Sequence, residues 1–227
     1  MARKVGKKYK SALSLVNREN RYELAEAVEL VKKVSYTKFN GTVEIHISTA
    51  ADPRYNDQMM RGTVVLPHGI GKVVKIAAFV SEDKVEEAKK LGADIVGNEL
   101  LLKDLEAGKV EFDVLITTPD MMRDLAKAAK ILGPKGLMPS PKAGTVTNNL
   151  TQTIDELKKG RIEYKLDKTG NFHIPVGKIQ FDSIKLQENI EVLLKTLDEN
   201  RPSGVKGKLI RKIVLAPTMG PGVPVQS

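Results

Sequence analysis

The stretch Val73-Val74-Lys75-Ile76-Ala77-Ala78-Phe79-Val80, followed by Ser81-Glu82-Asp83, divides this sequence into two textures. An almost unbroken apolar run is what a strand buried on both faces of a parallel sheet requires. Ser-Glu-Asp after it reads as a helix start, with a capping hydroxyl and acids in the first turn. Gly92 stops that helix. Downstream, Ile95-Val96 predicts a short strand, and Asn98 caps a helix through Leu105 that Gly108 stops. Val114 to Thr117 reads as a strand, and Met121 to Leu132 as a helix ended by Gly133-Pro134. After a loop rich in proline and glycine, Leu150 to Lys159 is a helix ended by Gly160. Strand and helix alternate throughout, so this block reads as a small open α/β domain.

The flanks have a different grain. Met1 to Lys10 carries Arg3, Lys4, Lys7, Lys8 and Lys10 without an acid, which reads as a mobile basic arm or a merely solvated tail. Leu24, Ala27, Val28 and Val31 form one apolar helical stripe. In Thr42 to Ser48, Val43, Ile45 and Ile47 point one way, and Thr42, Glu44, His46 and Ser48 the other. That polar face meets either water or a partner. Arg61 to Leu66 is a further strand, ended by Pro67-His68-Gly69. Asp167-Lys168-Thr169-Gly170, between Arg161 to Leu166 and Asn171 to Val176, signals a hairpin. Ile184 to Leu197 is an amphipathic helix, and Lys208 to Ala216 a strand whose last charge is Lys212. Pro217 to Ser227 is uncharged.

Charge follows the same division. Of 37 Lys and Arg residues, 14 lie between Ile70 and Gly160, alongside 14 of the 28 Asp and Glu. The block is neutral, and the whole net charge of +9 lies in the flanks. Such an excess favours a polyanion. Aromatic residues make up only 4%, with no tryptophan, so base stacking on aromatic platforms is poorly supplied. Phosphate contacts and shape recognition of folded RNA fit better. Cysteine is absent, which excludes disulfides and thiolate metal sites. No window holds the ~18 apolar residues of a membrane span. No apolar stretch follows the basic start, so a soluble, cytoplasmic chain is expected.

Motifs of chemistry are thin. Gly69-Ile70-Gly71-Lys72 hints at a phosphate loop, but Val73 stands where Ser or Thr is needed and a strand follows instead of a helix. Asp167-Lys168-Thr169-Gly170 resembles the phosphorylation loop of P-type ATPases, which need membrane spans; a turn explains it better. Gly133 to Thr145 offers Lys135 and Lys142 as an anion loop, or is a rigid structural loop. His46, His68 and His173 are too scattered in sequence to predict a metal site. Asp52 and Asp57, with Pro53 and Arg54 between them, read as a solvated turn. Two readings stand: an RNA-binding protein using the flanks, and a nucleotide-binding protein or enzyme using the middle block.

Seven runs occur in one order: FNGTVE (Phe39 to Glu44), RGTVVLPHGIG (Arg61 to Gly71), ILGPKGL (Ile131 to Leu137), PSPKAGT (Pro139 to Thr145), DKTG (Asp167 to Gly170), HIPVGK (His173 to Lys178) and TMGP (Thr218 to Pro221). Together they closely resemble the family of the bacterial large-subunit ribosomal protein L-one, the protein of the mobile stalk. The resemblance implies a two-domain α/β fold. Residues 1–69 and 161–227 would form a discontinuous α+β (split β-α-β) RNA-binding domain. Residues 70–160 would form an inserted Rossmann-like, three-layer α/β domain. It implies a non-enzymatic protein, without cofactor, membrane or small-molecule substrate. The implied partners are structured large-subunit rRNA, exit-site tRNA whose release the stalk assists, and the protein's own operon mRNA, which it represses.

Carried over residue by residue, the resemblance gives Lys38, Phe39, Thr42 and Glu44 at the first strand, His173, Gly177 and Lys178 after the turn, then Thr218, Met219 and Gly220. Lys38 and Lys178 can neutralise phosphates. Thr42 and Thr218 can donate to and accept from a 2′-OH. Glu44 only accepts, so it suits a ribose hydroxyl or an amino group. Met219 and Phe39 offer apolar contact, though Phe39 equally reads as core. Gly220 allows close backbone approach, or is only a turn. Lys206, Lys208, Arg211 and Lys212 would add general attraction.

Overall fold

The computed structural model describes residues 6–205 and 207–226. Arg3 and Lys4 of the expected arm, and Lys206, lie outside the described residues. Helix α1 spans Lys7–Leu13, so the arm as expected is overturned from Lys7 onward: Ala12 is buried and anchors a helix. Helix α2 (Leu24–Val34) buries Ala27, Val28, Val31 and Val34, the stripe its spacing demands. Strand β1 (Thr42–Thr49) alternates strictly, with Val43, Ile45 and Ile47 fully buried. Strand β2 (Arg61–Val65) follows.

The expected strand from Val73 is shorter than its apolar run. Strand β3 is only Ile76–Phe79, and Val73 is 91% exposed. Before Ile76 the chain is held instead by the Asp113 carboxylate, which accepts from the Lys75 N–H at 3.1 Å and pairs with the Lys72 ammonium. Helix α3 (Glu82–Lys90), strand β4 (Ile95–Gly97), helix α4 (Glu99–Glu106) and strand β5 (Val114–Thr117) come next. The helix expected over Met121 to Leu132 is broken. A 3-10 turn at Pro119–Met121 leads into α5 (Met122–Leu125), another 3-10 turn, and α6 (Ala129–Lys135). Gly133-Pro134 does not end it. A proline in the last turn removes only one donor, and Gly136, left-handed at φ 71°, closes the helix instead.

Helix α7 (Leu150–Lys159) starts at Asn149, whose side chain accepts from the Gln152 N–H. Strands β6 (Arg161–Lys165) and β7 (Asn171–Lys178), helix α8 (Ser183–Glu199), and strands β8 (Ile210–Pro217) and β9 (Val223–Val225) complete the chain. The Asp167 turn forms, with the Gly170 N–H on the Asp167 carbonyl at 3.2 Å. It does not make the expected hairpin, because β6 pairs with β2 while β7 pairs with β1. Nor is the C-terminal stretch a tail. Val223 and Val225 are buried, and β9 closes one edge of the main sheet.

Two compact units result: one from the chain up to Gly71 and from Ile162 on, the other Lys72–Arg161. The second is three-layered. Its parallel sheet runs β4-β3-β5. Ala77 and Phe79 pack with Leu101, Leu105 and Leu132 on one face; Ile76, Ala78 and Val80 pack with Ala88, Ile154 and Leu157 on the other. In the first unit an antiparallel sheet runs β7-β1-β8-β9. Its inward face, including Phe172, Ile174, Ile213 and Leu215, packs with α2 and with Leu186, Ile190, Leu193 and Leu197 of α8. Burial of each such side chain contributes roughly 1.5–3 kcal/mol. The opposite face stays open.

Candidate nucleic-acid interface

The open face follows from register. Thr42 stands opposite Lys178, Glu44 opposite Pro175 and Ala216, His46 opposite His173 and Val214, and Ser48 opposite Asn171 and Lys212. A bulge between Val43 and Glu44 keeps this order, since Glu44 passes over Val176 to meet Pro175. Gly177 sits at that bulge and is buried; a Cβ there would meet Leu186 Cδ2 at 2.8 Å. Its position serves packing beneath the surface.

At one end of this face the chain builds a rigid tip. The Thr218 N–H donates to the Thr42 carbonyl at 2.9 Å. The Thr218 hydroxyl accepts from the Thr42 N–H at 3.0 Å and donates to the Thr42 carbonyl at 3.1 Å. Its proton is therefore committed internally, which narrows the expected exchange with a ribose hydroxyl to one remaining lone pair. The Gly220 N–H closes a turn on the Pro217 carbonyl at 3.0 Å. Met219, third in that turn, has φ 68°; among the described residues it is the one non-glycine with positive φ. Such a position ordinarily belongs to glycine. The Tyr36 hydroxyl donates to the Met219 carbonyl and pins it. The Met219 side chain is 68% exposed. Gly220 cannot be replaced freely, because a Cβ would meet Pro217 Cγ at 2.5 Å.

Lys178 joins this tip by donating to the Thr42 hydroxyl at 2.9 Å. The segment Lys38-Phe39-Asn40-Gly41 runs alongside, with the Ile179 N–H on the Gly41 carbonyl and the Asn40 amide on Gln180. Phe39 is 58% exposed, so it is not core. The structure thus brings Thr42, Lys178, Thr218, Met219 and Gly220 together, with Lys38 and Phe39 on the approach. Glu44 and His173 lie further along the same face, and Gly177 lies under it. Sequence reasoning missed Tyr36, whose partner is far along the chain and leaves no local signal. It also left His46 aside, which register places against His173; burial, and then that neighbour, hold the His46 ring below its usual pKa, with Glu44 acting in the other direction.

The second unit offers less for a nucleotide. Lys72 is paired to Asp113, whose carboxyl is lowered by that hydrogen bond and by the Lys75 N–H. In the Gly133–Thr145 loop the N–H groups of Gly136, Leu137, Ser140, Ala143, Gly144 and Thr145 are all used internally. No anion nest is left among these. A cleft of about 380 Å³ at the carboxyl end of β4 is lined by Glu82 and Asp104, which repel phosphate. Among the described residues no helix is long and apolar enough to cross a membrane.

The first unit thus combines an open sheet face with a rigid tip, where an exposed apolar side chain stands on left-handed backbone, on a two-unit α/β fold. Residues 31–221 match the family described as the ribosomal protein L1p/L10e family. The chain is 52% identical over 223 residues to large ribosomal subunit protein uL1 of Thermosipho africanus, covering 98% of this chain and 96% of that one. It is 49% identical over 220 residues to uL1 of Kosmotoga olearia, covering 97% and 95%. Against uL1 of Thermosipho melanesiensis it is 51% identical over 223 residues, with 98% and 96% covered. The chain belongs to the ribosomal protein L1 family, as a large-subunit ribosomal protein and not an enzyme.

Proposed function

We propose that this protein grips a structured segment of large-subunit rRNA with the open face and tip of its first unit. On the ribosome it assists release of deacylated tRNA from the exit site, and in free form it represses its own operon mRNA by the same surface. Met219 carries the reading. A non-glycine residue held at φ 68° stores strain of about 1–2 kcal/mol, and its side chain is left in solvent. That arrangement makes sense when the side chain is used by a partner. Lys178 and Lys38 neutralise phosphates beside it, Phe39 and Met219 supply apolar contact to sugar or base faces, and Glu44 accepts from a hydroxyl or amino group.

The test is equilibrium binding of the full-length protein to a large-subunit rRNA stalk fragment at several salt concentrations. Affinity should fall linearly on a log–log plot, and Lys178→Ala should lower the slope by about one unit or less. A flat salt profile contradicts phosphate neutralisation as the driver. Competition by the operon leader mRNA separates the repressor role: a leader that does not displace the rRNA fragment removes it.

A further inference from the structure

On the open face, away from the tip, His46 and His173 stand opposite each other with their Nδ1 atoms 2.8 Å apart. Each ring has a carboxylate near its other nitrogen. His173 Nε2 lies 3.4 Å from Asp167 Oδ2, and His46 Nε2 lies 4.0 Å from Glu44 Oε2. Asp167 is itself fixed, accepting from the Thr169 and Asn171 N–H groups and the Thr169 hydroxyl.

A carboxylate only accepts, and a neutral imidazole carries one N–H. If each Nε2 proton faces its carboxylate, both Nδ1 lone pairs converge on one point. At that distance the two nitrogens are held either by a proton on one of them, as an N–H···N hydrogen bond, or by a metal ion that takes its place. We propose that His46 and His173 form a two-histidine site for a divalent transition-metal ion of the imidazole-preferring class, zinc, copper(II) or nickel, with water completing its coordination. Imidazole suits these ions and not magnesium or calcium. Metal-binding histidines ordinarily have a carboxylate on the far nitrogen, and Asp167 at 3.4 Å stands so beside His173, while Glu44 at 4.0 Å lies near His46 without a hydrogen bond. With metal–nitrogen bonds of about 2.0–2.1 Å, two tetrahedral ligands sit roughly 3.3 Å apart. With ring centroids 5.0 Å apart the two nitrogens face each other nearly head-on, so metal binding needs the rings to part by about half an ångström and to tilt. Their side chains are 33% and 53% exposed, so ion and water reach the gap from solvent. Among the described residues no three His, Cys, Asp or Glu groups converge on a metal position, so the ion would be exchangeable and not structural.

The full-length protein is titrated with copper(II), zinc and magnesium chlorides in a non-coordinating buffer near neutral pH, by calorimetry and by NMR of the histidine rings. One copper or zinc ion should bind per chain, copper more tightly, with no magnesium binding. Ring shifts should be confined to His46 and His173. His46→Gln and His173→Gln should each weaken binding by about tenfold or more, and His68→Gln should leave it unchanged. No saturable binding means that a proton alone occupies the gap, and the proposal fails. It fails equally if binding survives both substitutions, or if the metal shifts His68 instead. The ring shifts of the unsubstituted protein decide the matter even where a variant unfolds.

Discussion

Replacing Met219 by glycine should raise stability and lower RNA affinity at once. Met219 holds φ 68°, a conformation that costs a residue bearing a Cβ about 1–2 kcal/mol. Glycine removes that strain but frees the unfolded chain, at about 0.5–1 kcal/mol. The net effect is a gain of up to about 1.5 kcal/mol, a rise of up to roughly 3–6 °C in Tm. Binding moves the other way. The Met219 side chain is 68% exposed, and full burial of such a side chain is worth about 1.5–3 kcal/mol. Covering the exposed part therefore contributes roughly 1–2 kcal/mol, or about 5- to 30-fold in Kd. Thermal unfolding and fluorescence anisotropy with the rRNA fragment at fixed salt measure the two effects separately. Met219→Ala sharpens the comparison, because it keeps the strained Cβ and loses the contact: affinity should fall without a rise in Tm. Unchanged affinity in both variants would refute the contact. A loss of stability beyond about 1 kcal/mol in the glycine variant would refute the strain.

Three further outcomes follow from the geometry. Thr218→Val removes two hydrogen bonds to Thr42 and leaves its N–H without the hydroxyl, so unfolding should show a loss of about 1–2 kcal/mol together with weaker RNA binding; lost binding at full stability would show that the hydroxyl acts on RNA alone. Asn189 is fully buried, accepts from the His68 N–H and donates to the Gly69 and Val176 carbonyls, so Asn189→Leu should cost about 3 kcal/mol in urea unfolding. Asp167 has its folded pKa depressed to about 2, so its stabilisation is present above the unfolded value and is lost as pH falls from near 4 towards 2. Asp167→Asn should flatten the fall of Tm over that window, and an unaltered profile would mean the turn does not depend on the anion.

Much of this fold was written locally. Strict alternation in Thr42 to Ser48 and the 3.6-residue stripe of Leu24 to Val31 produced β1 and α2 as read, because each pattern buries one face wherever its neighbours come from. Misreadings arose where the deciding partner is distant. Val73 looks like strand but is left exposed, with no strand beside it among the described residues, and Asp113 holds the chain just after it. The Asp167 turn looks like a hairpin, but its flanking strands find better partners in β2 and β1. Val223 to Val225 is too short and too proline-bound to announce a strand, and pairing with β8 on one side and a bridge to Tyr22 on the other make it one. For the candidate site, the ordered runs pointed to Thr42, Lys178 and Thr218 to Gly220, and the structure brings these residues together. The Tyr36 clamp and the meeting of His46 with His173 were not, because both depend on strand register.

The most direct measurement is the map of backbone amide shifts in the full-length protein when the large-subunit rRNA stalk fragment is added. The amides of Thr42, Lys178, Thr218, Met219 and Gly220 should move most, with Lys38 and Phe39 beside them. Shifts confined to Lys72–Arg161, with that tip silent, would contradict the account.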